Sequence, residues 1–107
     1  MFHLKLITGA LAPSLLMALS VAGTTSTSGN DEFHTLCDKA MNVMMRDMDA
    51  PSTKDVDRDF VTMMVPHHQG AIDMAVAELR YGHDETLKRS AQEIIVDQQQ
   101  EIAAMRL

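Results

Sequence analysis

Apolar positions recur every three to four residues through three stretches of this chain, and polar, turn-forming segments separate them. The first stretch carries Phe33, Cys37, Met41, Met44, Met45 and Met48, which fall on one arc of a helix together with His34. Asn30 or Asp31 suits its N-cap, Asp31 and Glu32 place negative charge in the first turn, and the helix is expected to run to about Asp49. Ala50-Pro51-Ser52-Thr53 ends it. Ser52 or Thr53 then caps a second helix, expected from about residue 53 to Tyr81 with Gly82 as its stop. Its stripe holds Val56, Phe60, Met63, His67 and Met74, while His68 lies further round beside Met64 and Ala75. Asp84 caps a third helix to about Arg106, with Leu87, Ala91, Ile94, Ile95, Gln98, Ile102 and Met105 on one side.

Short connections make such helices antiparallel neighbours, so the expected fold is all-α: a three-helix antiparallel bundle that self-association would complete. If each connection is a tight turn, first- and second-helix residues whose numbers sum to roughly 103 lie level, and second- and third-helix residues whose numbers sum to roughly 165. One layer then collects Cys37, Met41, Met63, His67 and Gln98. The next collects Met44, Met45, Phe60 and Met105.

Residues 1–22 read differently, as a basic start, an apolar run through Leu11–Leu19 and a Ser20-Val21-Ala22 ending, the pattern of a secretory leader. Residues 23–30 are a small polar linker, which leaves 31–107 as the folded domain. Export would make the protein periplasmic or secreted, with no stable membrane insertion once the leader is gone. Nine basic against fifteen acidic side chains give a net charge of −6. A chain this acidic lacks the basic face that nucleic-acid binding needs.

Ten methionines, two of them in the leader, stand beside a single cysteine and no tryptophan. No internal disulfide can form, and a core rich in methionine is adaptable rather than rigid. Asp59-Phe60-Val61-Thr62-Met63-Met64-Val65-Pro66-His67-His68-Gln69-Gly70 concentrates the candidate chemistry. Met63 with His67, and Met64 with His68, are i,i+4 pairs that each join a thioether to an imidazole. Soft thioether with imidazole suits Cu(I), and Ag(I) by the same logic. Pro66 removes one helical hydrogen bond just before the histidines, and Gly70 permits close approach of another helix or a ligand. Asp55-x-Asp57-x-Asp59 lacks the glycine and the distant glutamate of a calcium loop, so it reads as a charged helix start. His83 reads as a turn residue. Glu78 is either an interfacial acid or the partner of a histidine.

The run from Asp59 to Ala75, followed by Glu78-Leu79-x-Tyr81-Gly82, by Gln92-Glu93-Ile94-Ile95 and by Gln99-Gln100-Glu101-Ile102-x-x-Met105, resembles a bacterial family of unknown function whose best known members are CopM-type periplasmic copper-binding proteins. The resemblance covers residues 31–107, with Pro66-His67-His68-Gln69-Gly70-Ala71 as its specific core. It implies a ferritin-like helical bundle, export to the periplasm, and binding of Cu(I) or Ag(I) through methionine and histidine. The metal-ligating candidates are Met41, Met44, Met45, Met63, Met64, His67, His68 and Met74, then Cys37, Met48 and His34. Cys37 falls outside the family pattern.

Enzymatic readings find little support, since neither Glu-x-x-His nor His-Glu-x-x-His occurs in the domain and no oxyanion donor accompanies Cys37. The expectation is a non-enzymatic copper chaperone or buffer with a delivery partner protein. The competing class is a helical interaction module that associates through its methionine-rich face without metal.

Overall fold

The computed structural model describes residues 28–107, so the leader and linker positions up to residue 27 lie outside the described residues. Three helices follow in order: α1 (Gly29–Met48), α2 (Val56–Tyr81) and α3 (Glu85–Met105). The all-α antiparallel expectation holds. Both α1 and α3 pack on α2, and they do not approach each other closely, so the helices form an open layer with α2 in the middle.

The helix ends follow from side-chain caps. Ser28, not Asn30 or Asp31, caps α1: its Oγ accepts from the Asp31 N–H at 3.2 Å, which frees Asp31 and Glu32 to sit in the first turn. Asp55, not Ser52 or Thr53, caps α2 by accepting from the N–H groups of Asp57 and Arg58. Asp84 caps α3 as expected, accepting from Leu87 N–H at 2.9 Å. Gly82 does end α2, but in extended backbone (φ −71°, ψ 155°) and not in the left-handed form usual for such a glycine. A Cβ there would lie 2.6 Å from the Glu78 carbonyl oxygen, so the position admits only glycine.

The segment between α1 and α2 is where the sequence expectation fails. It is no tight turn. Residues 49–55 run back along the first turns of α2, held by the Asp59 carboxylate, which accepts from Ser52 Oγ (2.9 Å), Thr53 N–H (3.0 Å) and Thr53 Oγ1 (2.7 Å). Lys54 takes a left-handed conformation (φ 65°) to turn the chain into the Asp55 cap. The start of α2 therefore projects beyond the end of α1. Met44 lies against Gly70, and the Tyr81 hydroxyl donates to Glu32, so level residues of α1 and α2 have numbers summing to about 114 rather than 103. Between α2 and α3 the sum is about 169 rather than 165, set by His68 against Glu101.

The hydrogen bonds from Thr53, then from Ser52, hold the Asp59 carboxyl below its usual pKa. A lowered folded-state pKa contributes stability above the unfolded value of about 3.9, and that contribution is lost as pH falls through the folded value. The expected result is that the thermal midpoint of Asp59→Asn falls less steeply than the parent's below about pH 4. Parallel slopes in circular-dichroism melts would count against the clamp.

Few side chains are deeply buried. Among the described residues the core consists of Ala40, Met44, Ile72, Ala75, Ala77, Ala91 and Ile102, joined by one polar residue, His68. Four of the seven apolar members are alanines, which lets the helices approach closely but fills little volume. Pro66 lies inside α2, which continues as one helix through it.

Candidate metal centre

The adjacent histidines have opposite fates. His68 is 7% exposed, and both of its ring nitrogens are engaged. Nδ1–H donates to the Met64 carbonyl at 2.8 Å, one turn back on the same helix, and Nε2 faces the Glu101 carboxylate of α3. The contact with a backbone acceptor fixes a proton on Nδ1 and leaves Nε2 turned to the Glu101 carboxylate. His67 is exposed, and among the described residues its ring makes no hydrogen bond. The helical stripe places His67 inside and His68 further round; the α3 register reverses their burial, because α3 crosses α2 over Met64, His68 and Ala75. Glu101 was not singled out from the sequence, and a shift of one helical turn in register would have found it.

The two expected layers are not formed. With level residues summing to 114, Cys37 lies opposite Ala77 and Met41 opposite Asp73, both well away from Met63. Gln98 lies opposite Ala71 and Met105 opposite Met64, whereas Phe60 extends past the end of α3. Met44, placed in a ligand layer by the tight-turn register, is instead buried over Gly70, where a Cβ would meet its Sδ at 2.8 Å. Met64 is half-buried beneath His68. Cys37 is half-buried, and burial, followed by the charge of Asp38, pushes its thiol above the ordinary pKa, so it stays protonated at neutral pH. His34 is exposed and meets the Phe33 ring edge-on at 5.6 Å.

A different grouping replaces those layers. In an antiparallel pair, side chains turned in the same rotational sense from each contact line face the same flank of the seam. On α1 this sense leads from Ala40 and Met44 at the contact to Met41, Met45 and Met48. On α2 it leads from Gly70 and Ala77 to Met63, His67 and Met74. The opposite flank is lined by Leu36, Lys39 and Val43 of α1 with Asp73, Val76 and Arg80 of α2, as the division requires. Met41 is 44% exposed, Met45 60% and Met63 44%, with Met48 and Met74 half-buried. Along the seam the donors extend from the level of Met63 to that of Met74, about 16 Å. Met48 is level with Pro66, between Met63 and His67, and Met45 is within one turn of it.

Around these donors the surface is open. Met63 borders a hollow of about 190 Å³ with Ala50, Pro51, Ser52, Asp59 and Thr62. Met74 borders one of about 290 Å³ with Glu78, Leu87, Ala91 and Ile94. A hollow of about 520 Å³ is at the other end of α2 between Phe33, Tyr81 and His83 and contains none of the donors. There the Glu32 carboxylate, accepting from the Tyr81 hydroxyl, keeps that phenol protonated above its ordinary range.

A family model described as a domain of unknown function, DUF305, matches residues 12–107. The chain belongs to the DUF305 family. No curated protein matches it. Among the described residues of this DUF305 domain, no three His, Cys, Asp or Glu side chains group as a metal site, and no helix is long and apolar enough to cross a membrane. The soft donors that the DUF305 domain brings to this flank are thioethers, the His67 imidazole and, nearer the other end of the seam, Cys37 and His34.

Proposed function

We propose that this domain is an exported carrier or buffer for Cu(I), and for Ag(I) by the same donor chemistry, which takes up its cargo through Met45, Met48, Met63 and His67. The observation that carries the reading is the pairing of Met63 with His67, one turn apart and both exposed, next to the α1 thioethers. Thioether sulfur and neutral imidazole are soft to borderline donors that prefer Cu(I) to Mg or Ca. The resemblance to CopM-type copper-binding proteins supports the same choice and, with the leader-like residues 1–22, a periplasmic location.

Met41 and Met74 continue the donor row beyond the first four. A thioether needs no deprotonation to bind, so the ion moves along the row, or to a delivery partner, by exchanging one sulfur for the next. His68 is not in the binding set. Its nitrogens are committed to Met64 and Glu101, and its role is to fix α3 beside the flank.

The test is a Cu(I) titration of the purified protein under reductant, in competition with a chromophoric Cu(I) chelator. The parent is expected to withdraw copper from the chelator, and Met63→Leu/His67→Phe to bind at least tenfold more weakly, a loss of about 1.4 kcal/mol. A parent that does not compete, or a variant that binds as well as the parent, would overturn the reading. The exposed apolar character of the same flank also favours an interaction surface, a reading that needs no metal.

A further inference from the structure

We infer that a second copy of this chain covers the methionine-bearing flank, so that the protein is a dimer without copper and the donor row proposed above lies between the two copies. The flank is wider than the donor row. On α3, Leu87 and Ile94 turn in the matching sense from its contact with α2, and Phe60 continues the α2 stripe past the end of α3. Met41, Met45, Phe60, Met63, Leu87 and Ile94 are thus large apolar side chains on one side of the open layer, each between 41% and 60% exposed. Half-exposed side chains of this size offer on the order of 80 Å² apiece. Together they reach the upper end of what a monomer ordinarily leaves bare, and more than half of the ~800 Å² that each partner gives to a standard interface.

Two features select a second copy as the occupant. One is the weakness of the lone fold: α1 and α3 never meet, most core positions are alanines, and the single Cys37 excludes an internal disulfide. A layer of about 80 residues with so few large buried side chains gains from a further source of buried area, and oligomerisation supplies it. The other is charge. Copies carrying a net charge of −6 repel each other through their acidic faces, whereas this flank is nearly uncharged. Of the carboxylates nearest it, Glu78 is half-buried beside Gly82 and Glu101, although 58% exposed, is engaged by His68. Methionine against methionine suits a self-complementary contact, because flexible thioethers adapt to each other.

The measurement is sedimentation equilibrium of the purified protein with a metal chelator present, which separates this inference from the copper reading. The parent is expected at twice the chain mass at micromolar concentration. Met41→Lys/Phe60→Lys, at two exposed positions, is expected to raise the dissociation constant at least a hundredfold while keeping its helical circular dichroism. Val76→Lys/Val96→Lys, exposed apolar positions on other faces, should leave the dimer intact. A helical parent that sediments as a monomer would overturn the inference, as would a flank variant that remains dimeric. If the control pair dissociates the dimer and the flank pair does not, the interface is on another face and this assignment is wrong.

Discussion

Replacing Gly70 with leucine is expected to destabilise the domain by about 2–3 kcal/mol, because the α1–α2 seam has no room at that point for a side chain. A Cβ at Gly70 would lie 2.8 Å from Met44 Sδ and 3.2 Å from both Met44 Cβ and Cγ. The sulfur can swing aside, but Met44 Cβ is fixed to α1 and can move only if the helix does. Gly70→Ala should therefore cost far less. The alanine gains about 1 kcal/mol in helix propensity, which offsets most of the strain. Adding Met44→Ala to Gly70→Leu should recover part of the loss by opening the space that the leucine needs. Urea unfolding of the four proteins measures this, and a Gly70→Leu variant as stable as the parent would show that the helices do not meet closely there.

The second large effect is expected at His68. Glu101→Leu removes the partner of a buried imidazole nitrogen and should cost about 1–3 kcal/mol, the penalty for leaving a buried polar atom unpaired. His68→Leu should cost less, since the Glu101 side chain is 58% exposed and water replaces its partner. The double variant is expected to be more stable than the sum of the single losses predicts, by a coupling of about 1 kcal/mol. Copper binding should move the other way. Freeing Nε2 of His68 adds an imidazole beside Met64, so Glu101→Leu is expected to bind Cu(I) at least as tightly as the parent although it is less stable. A fall in both quantities would mean that Glu101 supports the binding row directly.

Helix content and order were legible from the sequence because the periodicity of each stretch is strong and every helix has acidic residues at its start. The identity of two caps was not. Ser28 precedes a glycine, and Asp55 competes with Ser52 and Thr53, which turn out to bond Asp59 instead. The larger error was register. A Pro-Ser-Thr connection looks like a turn, and nothing in its composition shows that Asp59, four residues inside the helix, will pull it back along α2. That displacement moves the expected partner of Met41 from Met63 to Asp73 and dissolves the proposed layers. Close approach at Gly70 was legible, since a glycine one turn beyond a proline in an apolar helix has few other uses. The division of labour between His67 and His68 was not, because it depends on which side α3 lies, and no pattern within α2 encodes that.

The central position of α2 also determines how the domain comes apart. Among the described residues each outer helix holds to α2 alone, so α1 can detach without disturbing α3, and the reverse. The chain is thus two hairpins sharing one arm, and its cooperativity runs through that arm. Amide protons of α2 from about His67 to Tyr81, covered from both sides, are expected to exchange with solvent only when both hairpins open, whereas those of α1 and α3 exchange through separate partial openings. Loss of α1 removes Met41, Met45 and Met48 in a single event and leaves Met63 and His67 behind on the helix that opens last. An ion bound by donors of both helices, as proposed, would therefore stay with Met63 and His67 when that hairpin opens.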